Sequence, residues 1–143
     1  MANTLRITGK GSSISLSEKA VTRVLFDSET PHDSNARATD YGLGLKIWGK
    51  ILFDITAGGD QTLELAKWSQ VPAHSADAYR LVEAGVISAG QKVRDYTLTE
   101  GFVVEYSEQI NAEKGVGTFY LHIRQKKDEN AKVAINGGFS AES

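Results

Sequence analysis

The chain has 143 residues, of which 16 are basic and 18 acidic, so its formal net charge is −2, and it contains no cysteine. This length is typical of one domain, and 41% apolar residues are enough for one core. We therefore expect a single domain over residues 1–143. The missing cysteines exclude disulfides, thiolate metal sites and cysteine nucleophiles. The charges are spread without a basic block, which argues against nucleic acid as a partner.

The sequence has no run of 18 apolar residues and no apolar stretch near its first residue. We expect neither membrane insertion nor an ordinary signal peptide, and hence synthesis in the cytoplasm. Fourteen glycines against two prolines favour a β-rich domain with many tight turns.

Three short alternating segments open the chain. Leu5 and Ile7 share one face of the first, and residues 12–16 and 21–26 form the second and third, which together predict a β-meander. Residues 27–40 follow with no apolar periodicity and with the Ser, Asp, Asn and Pro content of a loop. A connection of this length inside a small domain is usually functional, so we expect a contact surface there.

The most regular pattern lies in residues 41–55, YGLGLKIWGKILFDI. Its odd positions are apolar or glycine, and its even positions mix glycine, charge and tryptophan, which predicts a strand with one face on a core. Fifteen extended residues would span roughly 45 to 50 Å. Gly42, Gly44 and Gly49 are the expected positions of a bend or bulge. Trp48 lies on the polar face between Lys46 and Lys50, which indicates a surface that another chain covers.

The remaining pattern predicts one helix and a series of strands. The helix covers residues 61–70 and ends at Val71-Pro72, with a weaker helical turn over 73–78. Strands are predicted at 79–88, 91–98, 102–110 and 116–127, with turns at 89–90 and 99–101 and a short edge strand at 132–135. The strand over 116–127 places Phe119, Leu121, Ile123 and Gln125 on one face.

No catalytic or metal-binding constellation is present in the sequence. His32, His74 and His122 are scattered without a metal-ligand spacing, and no nucleophile elbow, zinc-protease motif or nucleotide loop occurs. We therefore predict no catalytic residues, no metal and no cofactor, and a protein that is not an enzyme.

The order of these elements resembles the Hcp family, the tube-forming subunits of type VI secretion systems, and the related tube proteins of contractile phages and extracellular injection machines. The resemblance rests on the opening LRITGKG, the long loop before DYGLGLKIWGKI, the helix LELAKWSQ, and the closing strands GFVVEYSEQI and VGTFYLHIRQKK. It covers nearly the whole chain.

The resemblance implies a mainly β fold, in which two packed antiparallel sheets close into a barrel with one helix at its side. It also implies that six copies form a ring, that rings stack into a tube, and that the long strands line the lumen as one sheet continuing from subunit to subunit. The partners would be further copies of the chain, with sheath, baseplate or spike proteins and effector cargo, and the assembled tube would be exported or extracellular.

The predicted subunit interface consists of the long loop and the exposed face of the strand that follows it. Its residues are Pro31, His32, Asp33, Ser34, Asn35, Arg37, Asp40, Tyr41, Lys46, Trp48 and Lys50. Two other functions remain open at this stage. One is a β-barrel module that binds a peptide or carbohydrate on Trp48 and Tyr96, and the other is a hydrolase that uses His74 or His122.

Overall fold

The computed structural model describes residues 1–9, 11–29, 42–51, 53, 61–126, 129 and 132–138. Its strands are β1 (Ala2–Gly9), β2 (Ser12–Leu16), β3 (Val21–Glu29), β4 (Gly42–Ile51), β5 (Arg80–Ser88), β6 (Gln91–Asn111), β7 (Val116–Gln125) and β8 (Ala134–Gly137). One α-helix, α1 (Gln61–Ser69), and a 3-10 helix at Ala76–Ala78 complete the described elements.

All eight strands belong to one antiparallel sheet, in the order β2-β1-β5-β6-β7-β4-β3, with β8 also paired to β6. The 21-residue β6 connects the two parts of this sheet. Its residues up to Gly101 pair with β5, and its residues from Gly101 onward pair with β7. We call β2, β1, β5 and residues 91–101 the first half-sheet, and residues 101–111, β7, β4 and β3 the second half-sheet.

The inner faces of the two half-sheets meet in one hydrophobic core, which α1 completes with Leu65 and Trp68. The first half-sheet contributes Leu5, Ile7, Ile14, Leu16, Val82, Ala84 and Leu98, and the second Val21, Leu45, Ile47, Ile51, Phe119, Leu121 and Ile123. Burial of these side chains is the main favourable contribution to folding.

The predicted closed barrel of two sheets is corrected to a single sheet folded over on itself. Among the described residues no strand ladder joins β3 to β1 or β2. The two ends approach through side chains instead: Asn3 Nδ2 donates to the Thr22 carbonyl at 3.3 Å. Phe26 stacks on Tyr96 of the opposite half-sheet, with ring centroids 5.1 Å apart.

The predicted faces of β4 are confirmed for its described residues. Leu43, Leu45 and Ile47 are buried, whereas Lys46 and Trp48 are half-buried on the opposite face. The described strand is ten residues long and ends at Ile51. The prediction is wrong for Phe53, which was expected on the core-facing side of the strand but lies outside it and is 55% exposed. Residues 41, 52, 54 and 55 of the predicted strand lie outside the described residues.

The irregularities of pairing lie in neighbouring strands and not in β4. The register shifts within β3 between Val21 and Arg23, opposite Gly49 and Trp48. A Cβ at Gly49 would collide with the Ala20 carbonyl and the Phe119 ring, so this glycine permits a close approach.

The turn predicted at residues 99–101 is wrong, because β6 continues through them without a break. Gly101 is buried, and a Cβ there would lie 2.8 Å from Val82 Cγ2 and 3.0 Å from Ile123 Cγ2. The glycine is therefore needed where the strand crosses between the two half-sheets. The predicted opening meander is also wrong in its third strand, since β3 pairs with β4 and not with β2.

The predicted helix is confirmed, and the weaker turn after it is a 3-10 helix. Trp68 at the end of α1 is 2% exposed. Its indole nitrogen donates to the Ala78 carbonyl at 3.0 Å, which ties α1 to the segment that leads into β5.

Gln125 at the end of β7 holds the crossing point of β6 in place. It is 2% exposed, and its Oε1 accepts from the Glu100 backbone N–H at 2.9 Å. Its Nε2 donates to Thr99 Oγ1 at 2.9 Å and to the Glu129 carbonyl at 2.8 Å. The sequence pattern placed this polar residue on an apolar face, and these bonds explain how it is tolerated there.

We predict that Gln125→Leu lowers the free energy of unfolding by about 1–3 kcal/mol, because it leaves the Glu100 N–H without its acceptor. Urea unfolding followed by circular dichroism measures the loss. Gln109→Leu, at an exposed glutamine of the neighbouring strand β6, is the matched control. A loss below about 0.5 kcal/mol for Gln125→Leu would contradict this role.

Candidate subunit interface

The outer face of the second half-sheet carries the described residues of the predicted interface. Lys46, Trp48 and Lys50 alternate with the buried residues of β4 and share this face. The other predicted residues, Pro31, His32, Asp33, Ser34, Asn35, Arg37, Asp40 and Tyr41, lie outside the described residues. The strand residues on either side of that segment, Glu29 and Gly42, pair directly with each other.

Trp48 forms the centre of a row of side chains that crosses three strands. The guanidinium carbon of Arg23 on β3 lies 4.5 Å from the indole centroid, within the range of a cation–π contact. Tyr120 on β7 lies on the other side, with ring centroids 5.2 Å apart and planes tilted by 42°. Arg23 and Tyr120 therefore flank the indole ring from the two neighbouring strands.

The next row of cross-strand neighbours, beside that of Trp48, contains a histidine that has both basic and acidic side chains around it. His122 on β7 is 9% exposed and pairs with Lys46 on β4 and Glu105 on β6. Burial lowers the pKa of His122, and the nearby cations Arg124 and Lys46 lower it further, while Asp27 and Glu105 act in the opposite direction. The imidazole is thus neutral at pH 7 and lies in a mixed set of charges.

Tyr120 links the two rows electrostatically. Its burial, and after that the carboxylate of Glu105, raises the pKa of the Tyr120 phenol. The phenol is therefore neutral at physiological pH, and its ring packs against Trp48.

The second half-sheet ends in two strand edges. Neighbouring strands in β3-β4-β7-β6 are antiparallel, so β3 and the distal part of β6 run in opposite directions. In the described part of the chain, β3 pairs only with β4, and residues 102–111 of β6 pair only with β7. Glu105 and Ser107 on that part of β6 are exposed. Unpaired edges of this kind are templates for pairing with another chain.

Several residues of this surface were not predicted as site residues. The alternation of β7 placed Tyr120 and His122 on its polar face, but it could not show that they lie beside Trp48 and Lys46. That information is in the register between β4 and β7, which side-chain periodicity alone does not specify. The sequence pattern could not predict the contact of Arg23 with Trp48, because this contact depends on the register shift in β3.

The proposed stacking pair of a binding module does not exist in the structure. Tyr96 packs against the core and stacks on Phe26, whereas Trp48 lies on the outer face. The two rings therefore lie on different faces of the sheet and do not form one stacking surface.

The described residues contain no group of three or more His, Asp or Glu side chains that could hold a metal ion. No helix within the described ranges is long and apolar enough to cross a membrane.

We predict that His122 makes the chain less stable as the pH falls from about 6.5 to 5. The folded protein has the lower pKa at this residue, so the unfolded chain binds the proton first and gains free energy relative to the folded state. Urea unfolding at both pH values, at a low and fixed protein concentration, measures this loss. His122→Gln should show a smaller loss than the wild type, and His74→Gln, at an exposed histidine, should retain the wild-type loss. Equal losses for His122→Gln and the wild type would contradict the prediction.

Comparisons with known proteins find solved structures that have a similar fold. No protein-family model matches the chain, and no curated protein matches it. Hcp1 from Flavobacterium johnsoniae is similar in structure, with a TM-score of 0.58 at 18% identity over 96% of this chain and 97% of that one. A chain of the six-fold symmetrised baseplate of the anti-feeding prophage AFP is similar with a TM-score of 0.55, at 11% identity over 95% and 93% of the two chains.

A chain of the sheath–tube complex of the extracellular contractile injection system PVC matches with a TM-score of 0.50, at 7% identity over 94% and 88% of the two chains. The resemblance predicted from the sequence is therefore confirmed at the level of the fold, and the chain has the fold that Hcp1 and these chains of injection systems share.

Proposed function

We propose that this chain is a structural subunit that associates with copies of itself into rings, and that the rings stack into a hollow tube. In this proposal the tube is the inner tube of a contractile injection system or a type VI-like secretion system, and the chain is a single non-enzymatic domain. The observation that carries the proposal is the second half-sheet, a four-stranded surface with a strand edge at each side.

The direction of the strands favours continuation of this sheet from one copy to the next. β3 and the distal part of β6 are antiparallel, so a copy related by rotation brings its β3 alongside the neighbour's β6 in an antiparallel arrangement. Such a contact joins two different surfaces, and it closes into a ring when the rotation divides a full turn. It also satisfies the edge groups that would otherwise promote aggregation.

The position of the core supports a choice of the face that would be directed to the centre of the proposed ring. The core, α1 and the first half-sheet all lie behind the inner face of the second half-sheet. The bulk of each subunit is therefore on that side, and the outer face lines the lumen. In this proposal Lys46, Trp48 and Lys50 lie on the lumen side, on the strand next to the β3 edge, beside the lateral contact and not in it, which differs from the interface predicted from the sequence.

The lateral contact has complementary charge at one point. Arg23 on β3 and Glu105 on β6 both project from the outer face, each on an edge strand. Joining the two edges brings the cation of one copy near the carboxylate of the next. The predicted loop residues 31–41 would contribute further contacts between copies.

The similar structures suggest the number of copies and the other partners. The AFP baseplate is six-fold symmetrised, which supports six copies in a ring, and the PVC match comes from a sheath–tube complex. Sheath, baseplate or spike proteins and effector cargo are accordingly the proposed partners, without nucleic acid and without membrane insertion. The subunit would be made in the cytoplasm and exported or extracellular as part of the assembled tube.

Cysteine cross-linking tests the lateral contact directly, because the natural chain has no cysteine. Arg23→Cys with Ser107→Cys places one thiol on each edge of the outer face. A short flexible bismaleimide tolerates the stagger that closing a sheet requires. We expect the double variant to give a ladder of covalent oligomers under denaturing conditions that ends at the ring size.

Each single variant is the matched control, since one thiol per chain permits nothing beyond a dimer. If the double variant gives no ladder under conditions in which the chain has assembled, the edges are not the contact. If it gives no ladder and the chain stays monomeric at high concentration, the proposed function is wrong.

A further inference from the structure

β8 contains the only asparagine–glycine pair in the sequence, Asn136-Gly137. The other four asparagines, at positions 3, 35, 111 and 130, precede threonine or alanine. The backbone nitrogen of the residue after an asparagine can attack the side-chain carbonyl carbon, and a glycine nitrogen is the least hindered because glycine has no Cβ. The pair is therefore a candidate site of chemical modification, and its surroundings decide whether the folded chain permits the reaction.

The strand that carries this pair is short and exposed. All four residues of β8 are exposed, and in the described part of the chain β8 pairs only with residues 94–97 of β6. A short edge strand opens at a lower free energy than the central strands of a sheet, so its backbone can reach the geometry that ring closure needs. Within the described ranges the Asn136 side chain forms no hydrogen bond or ion pair, so its amide can turn toward the backbone.

The attacking nitrogen is not used by the strand ladder. The Gly138 N–H donates to the Val93 carbonyl at 2.8 Å. Because hydrogen-bonded and non-bonded pairs alternate along antiparallel strands, the adjacent pair of Gly137 with Arg94 is a non-bonded one. The Gly137 N–H therefore points away from β6, to the side on which no strand pairs with β8 among the described residues.

A positive charge lies beside the same peptide unit. Arg94 Nε is 3.1 Å from the position that a Cβ on Gly137 would occupy. A guanidinium there stabilises the negative charge that develops on the Gly137 nitrogen and on the attacked Asn136 carbonyl oxygen. A Cβ would also collide with the Val93 carbonyl, so the packing of β8 on β6 requires glycine at 137. The fold thus retains the reactive pair and places a cation next to it.

We propose that Asn136 is a deamidation site in the folded protein. Loss of the Gly137 amide proton to hydroxide lets this nitrogen form a bond to Asn136 Cγ, the Cγ–Nδ2 bond breaks, and ammonia leaves. Water then opens the succinimide ring at either carbonyl, which gives aspartate or isoaspartate at position 136. Water is the only co-reactant, and no oxidation occurs. The inference is independent of the proposed function, and each can fail without the other.

The product places a new negative charge opposite an existing one. Asn136 pairs with Asp95, and directly opposed side chains have Cβ atoms about 4.5–5.5 Å apart. Asp95 Oδ1 is buried without a hydrogen-bond partner in the described part of the chain, and Lys92 Nζ lies 3.9 Å from it. A second carboxylate there is repelled, and isoaspartate also lengthens the backbone and breaks the pairing register. We expect deamidation to release β8 and to leave residues 94–97 of β6 as an open strand edge.

The test follows deamidation of the folded full-length chain at two pH values near neutrality. Trypsin releases residues 133–143 as one peptide, because no lysine or arginine follows Lys132, and mass spectrometry with isoaspartyl methyltransferase labelling quantifies the products. We expect Asn136 to react about tenfold faster than Asn3 and Asn111 in the same sample, which corresponds to a barrier lower by about 1.4 kcal/mol. The rate should rise with pH, because hydroxide removes the proton.

The synthetic peptide of residues 133–143 gives the rate without the fold. A folded chain that reacts at less than about one tenth of the peptide rate would overturn the proposal, because β8 would then protect the pair. Equal rates at Asn136, Asn3 and Asn111 would also overturn it. Asn136→Gln is the chemical control, since its longer side chain closes the corresponding ring far more slowly, and it should remove the product from this peptide.

Two substitutions separate the contributions of the surroundings. Arg94→Gln should lower the rate about threefold or more, whereas Arg6→Gln, at an exposed arginine of β1, should not. Asn136→Asp imitates the product and should speed hydrogen exchange of the Gly138 N–H, whose acceptor is on β6. Asn111→Asp adds the same charge at the end of β6 and should leave that exchange unchanged. An unchanged rate in Arg94→Gln, or unchanged exchange in Asn136→Asp, would contradict the corresponding step.

Discussion

The continuity of β6 is the constraint on which the rest of the structure depends. One strand of 21 residues belongs to both half-sheets, so its crossing at Gly101 sets how their inner faces meet. The crossing needs a residue without a side chain, and it needs Gln125 to satisfy the backbone N–H of Glu100. With the two half-sheets held in this way, α1 completes the core, and the outer face of the second half-sheet lies on the side of the sheet away from that core.

The same arrangement connects folding with assembly. Folding one sheet over on itself buries the apolar residues of its inner faces in one core, yet it leaves strand edges at β3 and at the distal part of β6. A monomer with such edges is prone to uncontrolled pairing, whereas a ring joins the edges to each other. The charged and aromatic rows around Trp48 and His122 make the outer face a mixed polar surface, which suits the lumen position that we propose for it.

The sequence predicted those parts of the fold that depend on periodicity. Alternation identified both faces of β4 and β7, and the spacing of Leu65 and Trp68 identified α1. It misplaced a turn at Gly101, because a glycine required for close packing has the same sequence signature as a glycine in a turn. It could not place Arg23 beside Trp48 or separate Trp48 from Tyr96, since these relations depend on register and on how the sheet folds over. The loop residues 31–41 of the candidate interface stay a prediction.

The most direct test of the central claim is negative-stain electron microscopy of the wild-type chain across a concentration series, with light scattering on the same samples. The account predicts rings of uniform diameter with a central hole, and tubes of the same diameter as the concentration increases. A folded chain that remains monomeric at the highest concentration would contradict the account, because the strand edges of the second half-sheet would then have no partner in the assembly that we propose.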